Sequence, residues 1–216
     1  SYDKPEGSEL SEKTDQHKLY FHEIATPQNK DVVVFGKAES EKNRYVGAQV
    51  TEDDAYLLVS ASESTSGNKL LFKDLKAPNS SFVILADNYE NDHYLLDSEG
   101  DRLFIVTNFN APNQKVVEVN AKKPEQEYWK DFIPETEHVL SPSSGGGFFF
   151  AEYMVDAISK IYQFDSNGIN LGEVSLPGIG SVSDFSGEKE DSVLYYRFTN
   201  YANPSSIYAF DLSTQK

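Results

Sequence analysis

Four histidines are the side chains of this sequence with the widest range of possible chemistry, because imidazole titrates near neutral pH and binds metals. They are His17, His22, His93 and His138. His93 and His138 stand 45 residues apart, each before a short apolar segment, so they could form a metal site or a general base. No Asp, Glu or His accompanies them at a ligand spacing, which favours a structural role. We therefore predict no metal centre.

Carboxylates are the second group that could do chemistry. Three clusters stand between apolar segments, at Asp53–Asp54, Asp97–Asp101 and Glu188–Asp191. The Asp-x-x-Gly-Asp spacing of the second resembles a calcium loop, but the distant bidentate Glu is missing, so we expect plain turns. A glycosidase or lactonase would need two acids at a fixed separation, and the candidates Asp92, Asp97 and Asp184 form no evident pair.

Glycine runs and nucleophiles complete the search for chemistry. Gly145–Gly147 is followed by an apolar strand-like segment instead of a helix, which predicts a hairpin turn and excludes a phosphate cradle. Gly178-Ile179-Gly180 lacks the third glycine of a dinucleotide fingerprint. The sequence contains no cysteine and no G-x-S-x-G nucleophile elbow. We predict neither a catalytic residue nor a cofactor in this chain.

Composition limits the partners. The 216 residues carry 35 acidic and 19 basic side chains, a net charge of −16, which repels nucleic acid and anionic lipid. Aromatic residues make up 13%, too many for a disordered acidic chain. No apolar run approaches the ~20 residues that span a membrane, and the polar start is unlike a signal peptide. We expect a soluble chain, and its compartment, cytoplasm or periplasm, stays open.

The elements that would position these groups are short strands. Apolar runs of five to eight residues, rich in Val, Ile, Phe and Tyr, alternate with clusters of Gly, Pro, Asn, Asp and Ser. Helical periodicity is almost absent; residues 121–131 could hold one helical turn, and Pro124 argues against more. The pattern predicts an all-β protein.

The strands repeat with a fixed period. The segments KLLFKDL, KVVEVNA, KIYQFDS and SIYAFDL place an Asp or Asn at Asp74, Asn120, Asp165 and Asp211, at intervals of 46, 45 and 46 residues. A partial earlier copy, KLYFHEI, has Glu23 at the matching place. A period of ~40–50 residues with four short strands is typical of β-propeller blades. A β-sandwich is the less favoured alternative, because sandwiches carry no such period.

The repeat divides the chain into about four and a half blades of one domain. We expect a half blade at 1–36, full blades at 45–87, 92–134 and 138–176, and a last blade at 181–216 that lacks its outer strand. Blades bury both faces against their neighbours. Terminal blades with uncovered apolar faces and free edges would favour self-association of the chain.

The repeats resemble the second part of the seven-bladed propeller of the prolyl oligopeptidases, a family of serine peptidases. The resemblance covers the whole chain. The segments that carry it include KPEGSELSEKTDQHKLYFHEIATPQNKDVVVF (4–35), YVGAQVTEDDAYLLVSAS (45–62), VTNFNAPNQKVVEVN (106–120), YWKDFIPETEHVL (128–140) and VSLPGIGSVSDFSGEKEDSVLYYRFTN (174–200).

The resemblance implies that this chain is one part of a larger peptidase. In that family the propeller covers an α/β-hydrolase domain that carries the catalytic Ser, Asp and His, admits short peptides, and so limits cleavage after proline to small substrates. The resemblance therefore implies a substrate-gating module whose partners are a catalytic domain of the same protein and short proline-containing peptides. The alternative is a stand-alone propeller that serves as a binding scaffold.

One hairpin departs from the family pattern. In the family the hairpin matching residues 60–69 carries an arginine that reaches toward bound substrate. Alignment on the preceding strand places Ser62 at that position and Thr65 near a second wall residue, whereas alignment from Asn68 backward gives Ala61 and Ser64. None of these supplies the charged fork of an arginine. We take Ser62 and Thr65 as the substrate-facing candidates.

Overall fold

A computed structural model describes residues 16–38, 41–77 and 79–216. The described residues are almost entirely strand and turn, which confirms the all-β prediction, and the single turn expected within 121–131 is a 3-10 turn at Gln126–Tyr128. Another 3-10 turn lies at Gln28–Lys30. The strands are β1 (Leu19–Phe21), β2 (Val32–Phe35), β3 (Tyr45–Val50), β4 (Tyr56–Ser62), β5 (Lys69–Asp74), β6 (Val83–Ala86), β7 (His93–Glu99), β8 (Arg102–Thr107), β9 (Lys115–Asn120), β10 (Lys130–Ile133), β11 (Leu140–Gly145), β12 (Phe148–Val155), β13 (Ile158–Phe164), β14 (Asn170–Glu173), β15 (Ser181–Ser186), β16 (Val193–Thr199) and β17 (Ser206–Asp211).

Each sheet is a meander in which every strand is hydrogen-bonded to the next one along the chain. Three sheets have four strands, in the orders β3-β4-β5-β6, β7-β8-β9-β10 and β11-β12-β13-β14. The described residues also form a two-stranded sheet, β1-β2, and a three-stranded sheet, β15-β16-β17. The three four-stranded sheets are the blade units that the repeat predicts. Some bounds differ from the sequence pattern: β11 begins at Leu140 instead of residue 138, and Asp97 lies inside β7.

The chain divides into two compact units. The first contains the described residues up to Leu95 together with Pro124–Glu127, and the second contains Leu96–Lys123 and Tyr128–Lys216. In the first unit, buried Phe35, Val59 and Leu71 form a core against which Phe82 packs edge-on to Phe35, with ring centroids 5.5 Å apart. Val59 and Ala61 of β4 are completely buried in this core, and β4 has a hydrogen-bonded strand on each side.

The second unit has a core on each face of the β11–β14 sheet. Phe149 on β12 packs with Phe104 and Phe132 on one face, with centroids 4.5–4.7 Å apart. The adjacent Phe150 points to the opposite face and packs with Phe185 and Phe210. Successive residues of a strand point to opposite faces, so the run Phe148–Phe150 fills two cores at once. Burial of each such ring stabilises the fold by ~1.5–3 kcal/mol.

The turn after β11 is the hairpin that the triglycine run predicts, and it supports the next sheet. Gly146, with a φ of +59°, donates its N–H to Glu188 O at 2.8 Å, and Gly187 donates to Ser144 O at 3.2 Å. A Cβ at Gly146 would collide with Leu212, and one at Gly145 would lie 2.7 Å from the Gly187 nitrogen. Glycine is thus required for the two turns to stack. Lys189 reaches onward and donates to Ser98 O at 3.1 Å.

In the part of the chain that the structure describes, no helix has the length and apolar character needed to cross a membrane.

Candidate functional site

The hairpin between β4 and β5 carries both predicted substrate-facing residues. Ser62 is the last residue of β4, pairs across the sheet with Tyr45 and is half-buried, whereas Thr65 lies exposed in the turn. Ala61, the residue that the alternative alignment places there, is completely buried in the core of the first unit. Ser64, its companion, is exposed and donates its hydroxyl to Ser66 O at 3.1 Å. The tip therefore presents hydroxyl groups to its surroundings.

The base of the hairpin is locked to the segment that precedes β7. Gly67 has a φ of +72°, and a Cβ there would collide with the carbonyl group of Tyr89, so only glycine fits. Its N–H donates to Asp92 Oδ1 at 2.7 Å. Asn68 N–H donates to Asn91 O at 2.9 Å. These bonds hold the tip on a fixed support, as a contact surface requires.

Asn68 and His93 form the buried part of this lock. The Asn68 Nδ2 group donates to His93 O at 2.9 Å, and His93 N–H donates to Asn68 Oδ1 at 2.8 Å. The Asn68 amide thus bonds to both the N–H and the C=O of His93, as the backbone of a neighbouring strand would. His93 is only 2% exposed, and burial lowers its pKa from 6.5 to about 4. A neutral buried imidazole at the start of β7 supports the structural role over the catalytic one.

A charged and aromatic pair flanks the lock. Lys69 Nζ lies 2.6 Å from Asp87 Oδ1 and 5.3 Å from the centroid of the Tyr89 ring. The hydrogen bond with Asp87 raises the pKa of Lys69 above its ordinary value. The Tyr89 hydroxyl donates to Asn43 Oδ1 at 2.7 Å. The positive charge of Lys69 at the base of the hairpin is therefore already paired.

The remaining histidines have local partners. His17 Nδ1 accepts the Val46 N–H at 3.0 Å, and burial lowers the pKa of His17. His22 Nδ1 lies 2.7 Å from Asp31 Oδ1, and His138 Nε2 lies 3.8 Å from Glu137 Oε1. Among the described residues, no three His, Cys, Asp or Glu side chains gather in a way that could hold a metal ion.

Two of the three acidic clusters, Asp53–Asp54 and Glu188–Asp191, form turns in the described structure. The turn expected at Asp97–Asp101 is shorter, because Asp97 still belongs to β7 and only Gly100 and Asp101 form the turn. Asp53 Oδ1 accepts the Thr51 hydroxyl at 2.7 Å and the Ala55 N–H at 3.1 Å. Asp191 Oδ2 accepts the Glu188 N–H at 2.8 Å. Carboxylates that accept hydrogen bonds from the backbone N–H groups of nearby residues are typical of turns.

One carboxyl group of electrostatic interest escaped the sequence search. Glu152 on β12 is half-buried, accepts the Ser159 hydroxyl at 2.7 Å, and has a pKa raised by burial and also by the charge of Asp184. Asp184 has a φ of +59° at an irregularity of β15 and lies 3.3 Å from Arg197 Nε. The sequence feature that could have identified Glu152 is its position as the single acid inside the apolar run FFFAEYM (148–154). Pairing with Ser159, which also accepts the Val182 N–H at 2.9 Å, indicates a structural link between strands.

Comparisons with known proteins agree with one another. The profile described as the N-terminal beta-propeller domain of prolyl oligopeptidase matches residues 1–216. A prolyl endopeptidase of Elizabethkingia miricola is 45% identical over all of this chain, and one of Elizabethkingia meningoseptica is 44% identical over 99% of it. The chain spans 30% of the length of each of these two relatives.

Solved structures show the same likeness. One of two prolyl endopeptidases studied for inter-domain dynamics has a TM-score of 0.84 at 28% identity, with 94% of this chain and 30% of that chain covered. A prolyl oligopeptidase B of Galerina marginata bound to a 35mer substrate has a TM-score of 0.86 at 23% identity, with 98% of this chain and 30% of that chain covered, which shows the fold alone. The all-β fold is thus confirmed as part of a β-propeller.

Proposed function

This chain belongs to the family of N-terminal β-propeller domains of prolyl oligopeptidases, and on that premise we propose that it is the substrate-gating part of a serine endopeptidase that cleaves short peptides after proline. The observation that carries the proposal is the match of all 216 residues to that domain. The 45% identity to a prolyl endopeptidase over the whole chain supports the same peptidase class.

The proposed mechanism is steric. In a propeller the first strand of each blade lines the central channel, so blades packed face to face leave an opening that a short peptide can enter and a folded protein cannot. The aromatic cores on both faces of the β11–β14 sheet give its blade the rigidity that such a filter needs. The net charge of −16 would weakly favour cationic peptides and disfavour acidic ones.

The proposed partner is an α/β-hydrolase domain of the same protein that supplies the catalytic Ser, Asp and His. We place Ser62 and Thr65 at the surface that meets the substrate, held by the lock at Gly67 and Asn68. Hydroxyl groups there can exchange hydrogen bonds with a peptide backbone but cannot clamp a carboxylate as arginine does. Substrate positioning should depend less on this hairpin than the family pattern implies.

The scaffold alternative has less support. The chain matches a domain of prolyl oligopeptidases over its whole length, and the curated relatives that it matches are prolyl endopeptidases of which it spans 30%. In the three-stranded sheet, β17 is hydrogen-bonded to β16 and to no other described strand, and Ile207 on β17 is 74% exposed. Such an uncovered edge would promote self-association of the separated chain.

A chimera tests the proposal. These 216 residues would replace the matching 30% of the Elizabethkingia miricola prolyl endopeptidase. We expect the chimera to cleave a short Gly-Pro reporter and to leave intact a folded protein that carries Gly-Pro in an exposed loop, while this chain alone cleaves neither. A folded chimera that cleaves this protein as fast as the reporter, or peptidase activity of the chain alone that a substitution within it abolishes, would refute the gating role.

A further inference from the structure

A small notch in the first unit has no role in the function described above. Its volume is about 150 Å³, and it is bounded by residues of β3, β4 and β5 and by Tyr94 and Leu95 of β7. No charged residue is among the described residues that line it, although the chain as a whole carries a net charge of −16. A charged group that entered the notch would lose its water without gaining a partner, so the lining selects an uncharged occupant.

The notch exists because residue 47 is a glycine. Gly47 is exposed on β3, and a Cβ built on it would meet no atom within 4 Å, so the space of a side chain is empty there. The φ of Gly47 lies outside the left-handed region, so an L side chain would fit this backbone without strain. Gly47 pairs across the sheet with Ser60, which is also small. Two small residues side by side thus leave the opening.

The base of the notch is aliphatic. Leu58 on β4, Leu70 on β5 and Leu95 on β7 line it and are almost completely buried. Because these side chains are already covered, binding gains its free energy chiefly from the apolar area that the occupant itself removes from water. The occupant must therefore bring a large apolar surface of its own.

The size of the notch fits a single aromatic ring. A protein cavity of ~150 Å³ that is lined by apolar side chains binds benzene. Drug-sized ligands need sites of ~300–1,000 Å³, so the notch is too small for a whole cofactor or nucleotide. A phenyl group on a flexible chain matches both the volume and the uncharged lining.

The notch continues the surface on which the predicted substrate-facing hairpin lies. Tyr45 and Gly47 occupy alternate positions of β3 and so share a face, and they pair with Ser62 and Ser60 of β4. Alternate residues of a strand are ~6.6–6.8 Å apart, which is also the spacing of side chains on one side of an extended peptide. An extended peptide that contacts Ser62 can therefore place a side chain in the notch.

We propose that this notch binds the phenylalanine side chain of a short extended peptide. The fit of the ring follows from the notch alone, whereas the identification of the peptide with one that passes the gate rests on the proposed function. Gly47 then determines specificity, because any larger residue at this position would fill the space that the ring needs.

The test uses the 216-residue chain and the uncharged tripeptide acetyl-Gly-Phe-Gly-amide, titrated by NMR beside acetyl-Gly-Gly-Gly-amide. We expect the amide signals of Gly47 and Leu95 to shift, and the affinity for the Phe peptide to be at least about tenfold higher. Gly47→Val fills the notch with a residue that suits a strand, so it should keep the fold and weaken binding of the Phe peptide at least about tenfold. The matched control is Gly178→Val, at an exposed glycine where a Cβ also meets nothing within 4 Å, and it should bind as wild type.

Three results would overturn the proposal: no binding of the Phe peptide, equal affinity for the two peptides, or undiminished binding by Gly47→Val with a wild-type circular dichroism spectrum. If Gly47→Val does not fold, Gly47→Ala, which adds one methyl group, takes its place and must also weaken binding. If the notch instead joins two copies of this chain, sedimentation would depend on concentration and Gly47→Val would abolish this dependence, which also refutes the proposal. Because no hydrolysis is measured, failure here leaves the gate intact, and a chimera without gating leaves tripeptide binding intact.

Discussion

Asn68→Ala should be among the most damaging single changes to the hairpin, although its side chain carries no charge. The Asn68 amide donates to His93 O at 2.9 Å and to Lys69 O at 3.0 Å, and it accepts the His93 N–H at 2.8 Å. Both Asn68 and His93 are buried. Alanine removes three hydrogen bonds and takes a partner from a buried backbone donor.

The expected loss can be worked from these contacts. Each hydrogen bond contributes ~0.5–1.5 kcal/mol net, and a buried donor deprived of its acceptor costs ~1–3 kcal/mol. We expect the free energy of unfolding to fall by about 3 kcal/mol. For a chain of this size, ~2–4 °C of Tm per kcal/mol gives a decrease of about 6–12 °C.

Urea unfolding followed by circular dichroism measures the change, and hydrogen exchange of the His93 amide should accelerate in the variant. The matched control is Asn167→Ala, because Asn167 is exposed and its Nδ2 reaches Asp165 Oδ2 only at 3.5 Å. The control should lose less than ~0.5 kcal/mol, as surface changes usually do. A buried donor that loses its acceptor costs at least ~1 kcal/mol. A smaller loss of stability in Asn68→Ala, or a loss equal to that of the control variant, would refute the lock.

Two further predictions concern a turn and a pH dependence. Gly146→Ala should lower the free energy of unfolding by ~1–3 kcal/mol more than Gly147→Ala, as measured by thermal unfolding. Both glycines have a positive φ, but only a Cβ at Gly146 would collide with Leu212 and lie 2.8 Å from Asp191 O. Equal losses in the two variants would contradict the stacked turns. The lowered pKa of His93 means that the folded chain binds fewer protons than the unfolded chain, so its contribution to stability is full above pH 6.5 and is lost as the pH falls toward 4, by up to ~3 kcal/mol. The pH profile of urea midpoints for His93→Leu should lack this decline, and a profile parallel to wild type would exclude the effect.

The repeat made much of the fold predictable. Positions such as Asp74, Asn120 and Asp165 recur because each blade needs the same turn after its third strand, and the turn chemistry is local. The run Phe148–Phe150 was readable as a strand buried on both faces. Exact strand ends, such as Leu140 in β11, were less predictable, because cross-strand pairing decides where a strand begins.

The candidate site was predictable only in part. Ser62 and Thr65 could be placed on a hairpin from the flanking apolar runs, and their roles stay a prediction. Which of Ala61 and Ser62 faces outward depends on the register of β4 against β3, and the sequence left both alignments open. Asn68 and His93 are 25 positions apart in the sequence, and no local sequence pattern predicts a contact between them.

The sequence by itself determined the architecture, because a 46-residue period of alternating apolar strands can bury its side chains only by stacking like units. It also excluded a nucleophile elbow and thiolate metal sites, since these need residues that the chain lacks. Tertiary structure alone decided that His93 is buried and neutral, and that the Asn68 amide pairs with its backbone. Burial and such contacts arise where separate strands meet, and side-chain packing across them is not encoded in any single segment.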